Sequence, residues 1–363
     1  CEEITGTDEL TIVQRGDRAE IRAFPERDLD NAYSVCTADI CPVGALTARD
    51  FRFKCRVWLL TSTDSVCTGC SNGCNIHLEH FRNEIQRYRP RYNPEVNDYW
   101  MCDAGRLSYK EVHADRLLTP LSNGAELTWH GAVETVADKL GRALEDSGPE
   151  KFAFVLSPQA SCEDIFLARR FAAETLGDVR FYLGGKPGGD SDDFLIKSDK
   201  NPNRKGIEVV FGGLGDVAPF TELVDDIETG DVEVLYMMET QTPLDEATHA
   251  RFLESLAGLD LFILQAQHHG ALAANAHLAL PACSHAETTG TFINYAGVAQ
   301  PFFLAFEPHG DSLSHWQIFM RLARGMGKPF NYTFLHQIQE EMFEASQISE
   351  VQSNPPAAET PAE

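Results

Sequence analysis

The 363-residue sequence is poor in base: 30 Lys and Arg stand against 55 Asp and Glu, a net charge of −25. So acidic a chain lacks the basic surface that phosphate binding needs, which argues against a nucleic-acid partner. It has no apolar run near the roughly 18–20 residues of a membrane span, so a role at a membrane would rest on other subunits. It carries no internal repeat. With 43% hydrophobic and 23% charged residues, the composition excludes collagen-like, fully disordered and coiled-coil classes. The length predicts two or three domains. No catalytic acid, base or nucleophile stands in a recognisable arrangement.

Cysteine is scarce but clustered. Of ten, eight fall within the first 102 residues. That is too sparse for a small disulfide scaffold, and metal-bound thiolates in a reducing compartment fit better. Cys67-Thr-Gly-Cys70-Ser-Asn-Gly-Cys74 spells C-x2-C-x3-C, and Cys102 follows after 27 residues. Gly69 and Gly73 free the backbone to wrap a compact body, and the fourth thiol returns from a separate segment, Trp100–Asp103. Four such thiolates suit a cubane [4Fe–4S] cluster, one per iron. The rival is structural zinc, although zinc ribbons generally use two C-x2-C knuckles. Cys41-Pro42 is a weaker sign: a Cys-Pro pair often supplies the last ligand of a ferredoxin-type run, commonly to a different cluster. Cys36, Cys55, Cys162 and Cys283 read as small buried hydrophobes.

The rest of the chain predicts an α/β fold. Thr11–Phe24 alternates around Gly16-Asp17 as a hairpin, and 51–60 (FRFKCRVWLL) reads as an apolar strand. Residues 66–109, rich in Cys, Asn, Gly and Tyr, suit a small metal-organised domain with strand pieces at Asn75–Leu78 and Glu84–Tyr88. Trp129–Leu144 has helical spacing, and Ser161 with Asp164 predicts a capped helix stopped by Gly177. Strands at 152–156, 179–183, 207–211, 232–238 and 259–264 alternate with helical stretches, which predicts a doubly wound parallel sheet. Beyond Gln337 there are six Glu and no Lys or Arg, so an acidic disordered tail is expected. The implied domains are 1–60, a remnant of a ferredoxin-like iron–sulfur domain; 61–115, a [4Fe–4S] domain; 116–335, the α/β domain; and 336–363, the tail.

The string Asp39-Ile40-Cys41-Pro42-Val43-Gly44-Ala45-Leu46-Thr47, followed by an aromatic stretch, the four-cysteine site and Asp103-Ala104-Gly105-Arg106, resembles the large iron–sulfur subunit of respiratory complex I. Residues 192–203 are similar to a segment common in that family. Leu278–Ala282 and Glu287–Asn294 resemble the molybdopterin-oxidoreductase pattern LPA…E..GTF.N. The resemblance implies that Cys41 is the fourth ligand of a second [4Fe–4S] cluster. Counting back from it by the family's spacing places the other three thiols just upstream of Cys1. The chain is then expected to be truncated there, with Cys1 a bystander.

It further implies electron transfer from NADH and flavin towards quinone, as a subunit of NADH:quinone oxidoreductase with no complete substrate-converting site of its own. NAD and FMN would reside on partner subunits, with quinone-proximal subunits downstream. The place implied is peripheral, on the cytoplasmic side of the inner membrane. No molybdopterin is expected, because the region is short and shows no recognisable Cys or Ser metal ligand. The same modules serve in NAD-linked hydrogenases and formate dehydrogenases, and a scaffold with a four-cysteine metal site is a third reading.

Other features point elsewhere only faintly. Gly213-Leu-Gly215-Asp-Val-Ala218 formally satisfies G-x-G-x-x-A after the expected strand at 207–211, with Glu239 about 20 residues on. Pro219 directly after it weighs against a nucleotide site. Gly184–Gly189 lacks a phosphate-loop ending and reads as a mobile loop. His268, His269 and His285 read as surface or core residues rather than ligands. Arg82, Arg87, Arg89 and Arg91 either raise the potential of a nearby cluster or pair with acids and partners.

Overall fold

The computed structural model describes residues 1–346 and 348. The first two strands, β1 (Leu10–Val13) and β2 (Glu20–Ala23), form the expected antiparallel hairpin. The five-residue helix Cys36–Ile40 follows and ends at Cys41. Residues 51–60 are not a strand. They run as turns and a short 3-10 turn at Val57–Leu59, and pairing begins only at Thr61. Phe53 and Trp58 point outward, 92% and 78% exposed, with the guanidinium groups of Arg52 and Arg56 lying over their rings. Apolar composition without a face to bury it does not make a strand.

A three-stranded antiparallel meander comes next: β3 (Thr61–Val66), β4 (Asn75–Phe81) and β5 (Glu84–Pro90). Two short helices, Asp103–Leu107 and Tyr109–Val112, close over it. Ile76, Leu78, Ile85, Tyr88, Met101 and Tyr109 form its core, together with Cys67 and Cys74.

The remainder is built on one eight-stranded sheet. Its strands are β6 (Leu121–Ser122), β7 (Ala125–Glu126), β8 (Phe152–Leu156), β9 (Arg180–Leu183), β10 (Val217–Pro219), β11 (Val234–Met238), β12 (Leu261–Ala266) and β13 (Leu278–Pro281). The order is β10-β9-β8-β11-β12-β13-β6-β7. Six strands are parallel, and the small β6–β7 hairpin adds an antiparallel edge, so the sheet is mixed. Residues of β8, β11 and β12 are buried on both faces, and separate apolar cores form above and below the sheet. A last hairpin, β14 (Gly290–Ile293) with β15 (Ala299–Phe302), places Phe292 and Phe302 on Val66 of the meander.

Three other expectations change. Residues 207–211 belong to the helix Arg204–Phe211: Ile207 and Val210, three apart, share its buried face, so the short apolar run has helical rather than strand period. Gly212 then sits at φ +72 as the helix C-cap, not in a strand-to-helix turn. Gly184–Gly189 is anchored rather than mobile, since Asn201 accepts from Lys186 N at 2.8 Å and donates to its carbonyl at 3.0 Å. The start of the expected acidic tail is the helix Leu335–Ser346, whose Ile338 and Met342 are fully buried. Its glutamates face water while every fourth residue faces the core. The rest of the expected tail lies outside the described residues.

Candidate metal centre

The C-x2-C-x3-C segment is the connection between β3 and β4, closed at its base by Cys67 N donating to Cys74 O at 2.8 Å. The hairpin therefore fixes where the three thiols emerge. Gly73 takes φ +61, a conformation that side chains resist, and there the chain turns back into β4.

Cys102 is delivered from the other side. Asn97 orders that segment: it accepts from Asn75 N at 2.9 Å and donates to Trp100 O at 3.0 Å. Cys102 is the N-cap of the helix Asp103–Leu107, and its Sγ accepts the Gly105 N–H at 3.3 Å. Gly105 is the meeting point. A Cβ there would stand 3.0 Å from Cys67 Sγ and 3.3 Å from Cys102 Sγ, so a side chain at this point would push the two thiols apart by a few tenths of an ångström.

Cys67, Cys70 and Cys74 are 9% exposed or less, and Cys102 is half-buried beside them. Burial, and then the neighbouring thiols, hold Cys67 well above its ordinary pKa. Burial also pushes Cys74 up to about 12 and raises Cys102. Without a cation among them these groups stay protonated, because thiolates so placed are both desolvated and mutually repelled. An iron core supplies that cation, so the donor set fits the group. N–H donors already aim at the sulfur positions: Gly69 N at Cys67 (3.5 Å), Asn72 Nδ2 at Cys74 (3.2 Å) and Gly105 N at Cys102. Among the described residues no three His, Cys, Asp or Glu side chains close on one point as they would around a single ion.

The surroundings reach in from the α/β part. Asn294 donates to Asn72 O at 3.1 Å, Ser71 N donates to Asp199 O at 2.8 Å, and Tyr295 N donates to Ser71 O at 2.9 Å. The segments that resemble the family at 192–203 and 287–294 thus hold the cysteine loop in place. Sequence reasoning assigns no role to Asn72, Asn97 or Asn294. Asn72 and Asn97 do fall between the cysteines, where buried amides are the natural way to order a loop.

Cys41 stands apart from the four. It ends the helix Cys36–Ile40, and the chain then curls so that Leu46 N donates to its Sγ at 3.4 Å. That donor and the N–H groups of Val43, Ala45 and Gly44 hold its thiol below the ordinary range. The sulfur faces a basin of about 680 Å³ that Cys55, Tyr88, Arg87, Arg89 and Arg106 also line. Cys55, expected to be buried, is a partly exposed wall of that basin. Cys36, Cys162 and Cys283 are buried as expected. Of the four arginines, Arg87 and Arg89 share Glu79, and Arg91 pairs with Asp64 at 3.7 Å.

The remaining candidates are structural. Glu239 is 1% exposed, and its Oε1 accepts from Gln267 at 2.7 Å and lies 3.0 Å from His315 Nε2, inside the fold rather than at a strand-end crevice. His268 Nδ1 meets Ala114 O at 2.8 Å, and His285 Nε2 lies 3.0 Å from the Tyr88 hydroxyl. No helix among the described residues is long and apolar enough to cross a membrane.

Three family models match in chain order: the ferredoxin-like domain of NADH-quinone oxidoreductase subunit 3 over residues 1–47, the molybdopterin oxidoreductase Fe4S4 domain over 60–114, and molybdopterin oxidoreductase over 212–325. The match over 60–114 supports a [4Fe–4S] cluster. An NADH-quinone oxidoreductase subunit of Rickettsia felis is 34% identical over 171 residues, 46% of this chain and 25% of the relative. Subunit 3 of the Thermus thermophilus enzyme is 33% identical over 175 residues, 47% of this chain and 22% of the relative. The mitochondrial NADH dehydrogenase [ubiquinone] iron-sulfur protein 1 of Solanum tuberosum is 34% identical over 188 residues, 50% and 25% of the two chains. The chain thus spans about a quarter of the curated relatives it matches. Acetylene hydratase from Pelobacter acetylenicus overlays with a TM-score of 0.49 at 11% identity, covering 73% of this chain and 69% of that one. By its domains and relatives the chain is a homologue of the large iron–sulfur subunit of NADH-quinone oxidoreductase, with a molybdopterin-oxidoreductase-like C-terminal part.

Proposed function

We propose that the chain is an electron-transfer segment of NADH-quinone oxidoreductase, lying between an NADH-oxidising flavin subunit and quinone-proximal subunits. The observation that carries this is the convergence of two segments: Gly105 lies against both Cys67 Sγ and Cys102 Sγ, and Cys67 feels the charges of Cys70, Cys74 and Cys102. These four would hold one [4Fe–4S] cluster, and Cys41 would give the fourth thiolate to a second. A bound cluster takes up and releases single electrons without bond-making at a substrate. The chain's own part is to exclude water, direct N–H groups at the sulfurs, and fix thiol positions from two sides.

The division at 60 and 115 follows the same reading, with the α/β part, which takes in the helix Leu335–Ser346, acting as the frame of the cluster domain. Molybdopterin is not part of it. The assembly would be peripheral, on the cytoplasmic side of the inner membrane. Adding NADH to the intact complex should reduce a signal that Cys41→Ser abolishes. A complex whose iron–sulfur signals are unchanged by Cys41→Ser contradicts the second assignment.

A further inference from the structure

We infer that the buried Arg106–Asp39 ion pair sets the reduction potential of the centre at Cys41, an inference that rests on Cys41 being a cluster ligand. Arg106 is 5% exposed. Its guanidinium reaches Asp39 Oδ2 at 2.5 Å and Oδ1 at 3.4 Å, and also donates to the Tyr88 carbonyl at 3.3 Å. Asp39 lies two residues before Cys41, on the helix that delivers it, and both partners line the Cys41 basin.

Charge in the basin runs against the rest of the molecule. Arg52, Arg87, Arg89 and Arg106 line it against Asp39 and Asp50, in a chain of net charge −25. Such a wall suits an anionic body. Arg87 and Arg89 have side chains 20% and 43% exposed and share one carboxylate, Glu79, so water and pairing weaken their field. Arg106, 6% exposed at the side chain, acts through a poorly screened interior. Asp39 offsets most of it. The pair leaves a small, fixed field at the sulfur, and each member holds the other's effect in check.

The sign follows from charge. A cluster gains negative charge on reduction, so a nearby cation favours the reduced form and an anion the oxidised form. Removing Arg106 exposes the field of Asp39 and lowers the potential. Removing the charge of Asp39 exposes Arg106 and raises it. A merely structural role would move both variants the same way.

The test is an EPR-monitored redox titration of the whole complex from membranes carrying each variant, with the Cys41 centre identified as the signal that Cys41→Ser removes. At the potential where half the native centre is reduced, it should be mostly oxidised in Arg106→Gln and mostly reduced in Asp39→Asn. The double variant should fall near the native value, and Arg106→Lys should stay closer to native than Arg106→Gln. If Arg106→Gln fails to assemble, the Asp39→Asn rise alone decides, because the amide oxygen of that variant still accepts one of the two Arg106 hydrogen bonds while the charge is gone. No signal lost in Cys41→Ser removes the cluster reading itself. A signal lost there, with shifts absent or of one sign, overturns the role of the pair and leaves the cluster reading standing.

Discussion

Asn294 donates its side-chain amide to the main-chain carbonyl of Asn72 at 3.1 Å, joining residues 222 positions apart. The contact ties the loop between the second and third cysteines to the end of β14, so the α/β part acts directly on the candidate cluster pocket. Asn294 is 2% exposed and also accepts from Ala296 N and Val298 N at 3.0 Å. In Asn294→Ala the Asn72 carbonyl is left buried without this donor, a loss of about 1–3 kcal/mol. Iron should bleach several-fold faster under a chelator, as followed by visible absorbance. Unchanged bleaching would mean that the loop is held by its own turns.

Gly105→Ala tests the meeting of the two thiol segments. Its methyl would sit 3.0 Å from one sulfur and 3.3 Å from another, both closer than an ordinary contact. Iron per chain should fall well below the native value while far-ultraviolet circular dichroism stays near native. Full iron content in this variant would show that the pocket opens more easily than its packing indicates.

Arg116 and Glu287 form an ion pair at 2.8 Å with side chains 4% and 0% exposed. Arg116 also donates to Val112 O, Gln267 O and Ala282 O, spanning the cysteine domain and the sheet. Arg116→Met leaves a buried carboxylate without its cation, which should cost about 3–5 kcal/mol in urea unfolding. Glu287 retains donors from Ser284 and His309, and that softens the loss without replacing the charge. A change below about 1 kcal/mol would contradict the pair's structural weight.

His285 faces the small cavity beneath Thr68 rather than bulk water, and burial lowers its pKa to about 4. The unfolded chain binds this proton near pH 6.5 and the folded chain does not. Its contribution is therefore complete above about pH 6.5 and is lost as pH falls towards 4, on the order of 3–4 kcal/mol in all. His285→Gln should flatten the stability profile across that window. An unchanged slope would place the acid sensitivity on other groups.

The cysteine spacing was legible because a cluster demands specific thiols at specific separations, and the hairpin around Gly16 was legible from alternation alone. Five-residue apolar runs were not. Phe152–Leu156 and Ile207–Phe211 look alike in sequence, yet one is a central strand and the other a helix whose Ile207 and Val210 share a buried face. The segment 51–60 misled for the opposite reason: its aromatic residues stay at the surface under arginine side chains. The glutamates of 340–344 hid the buried stripe of Ile338 and Met342. Asn72 and Asn97 gave no signal of their own, and Asn294 showed only as the last residue of the GTF.N string, because an amide's role depends on what tertiary folding brings beside it.

The most direct test of the central claim is low-temperature EPR of the anaerobically prepared, dithionite-reduced protein, beside Cys67→Ala, with iron and zinc measured on the same samples. The expected result is about four irons per chain at this site and a fast-relaxing signal with average g below the free-electron value, absent from Cys67→Ala. A colourless, EPR-silent protein holding one zinc on these four cysteines would contradict it.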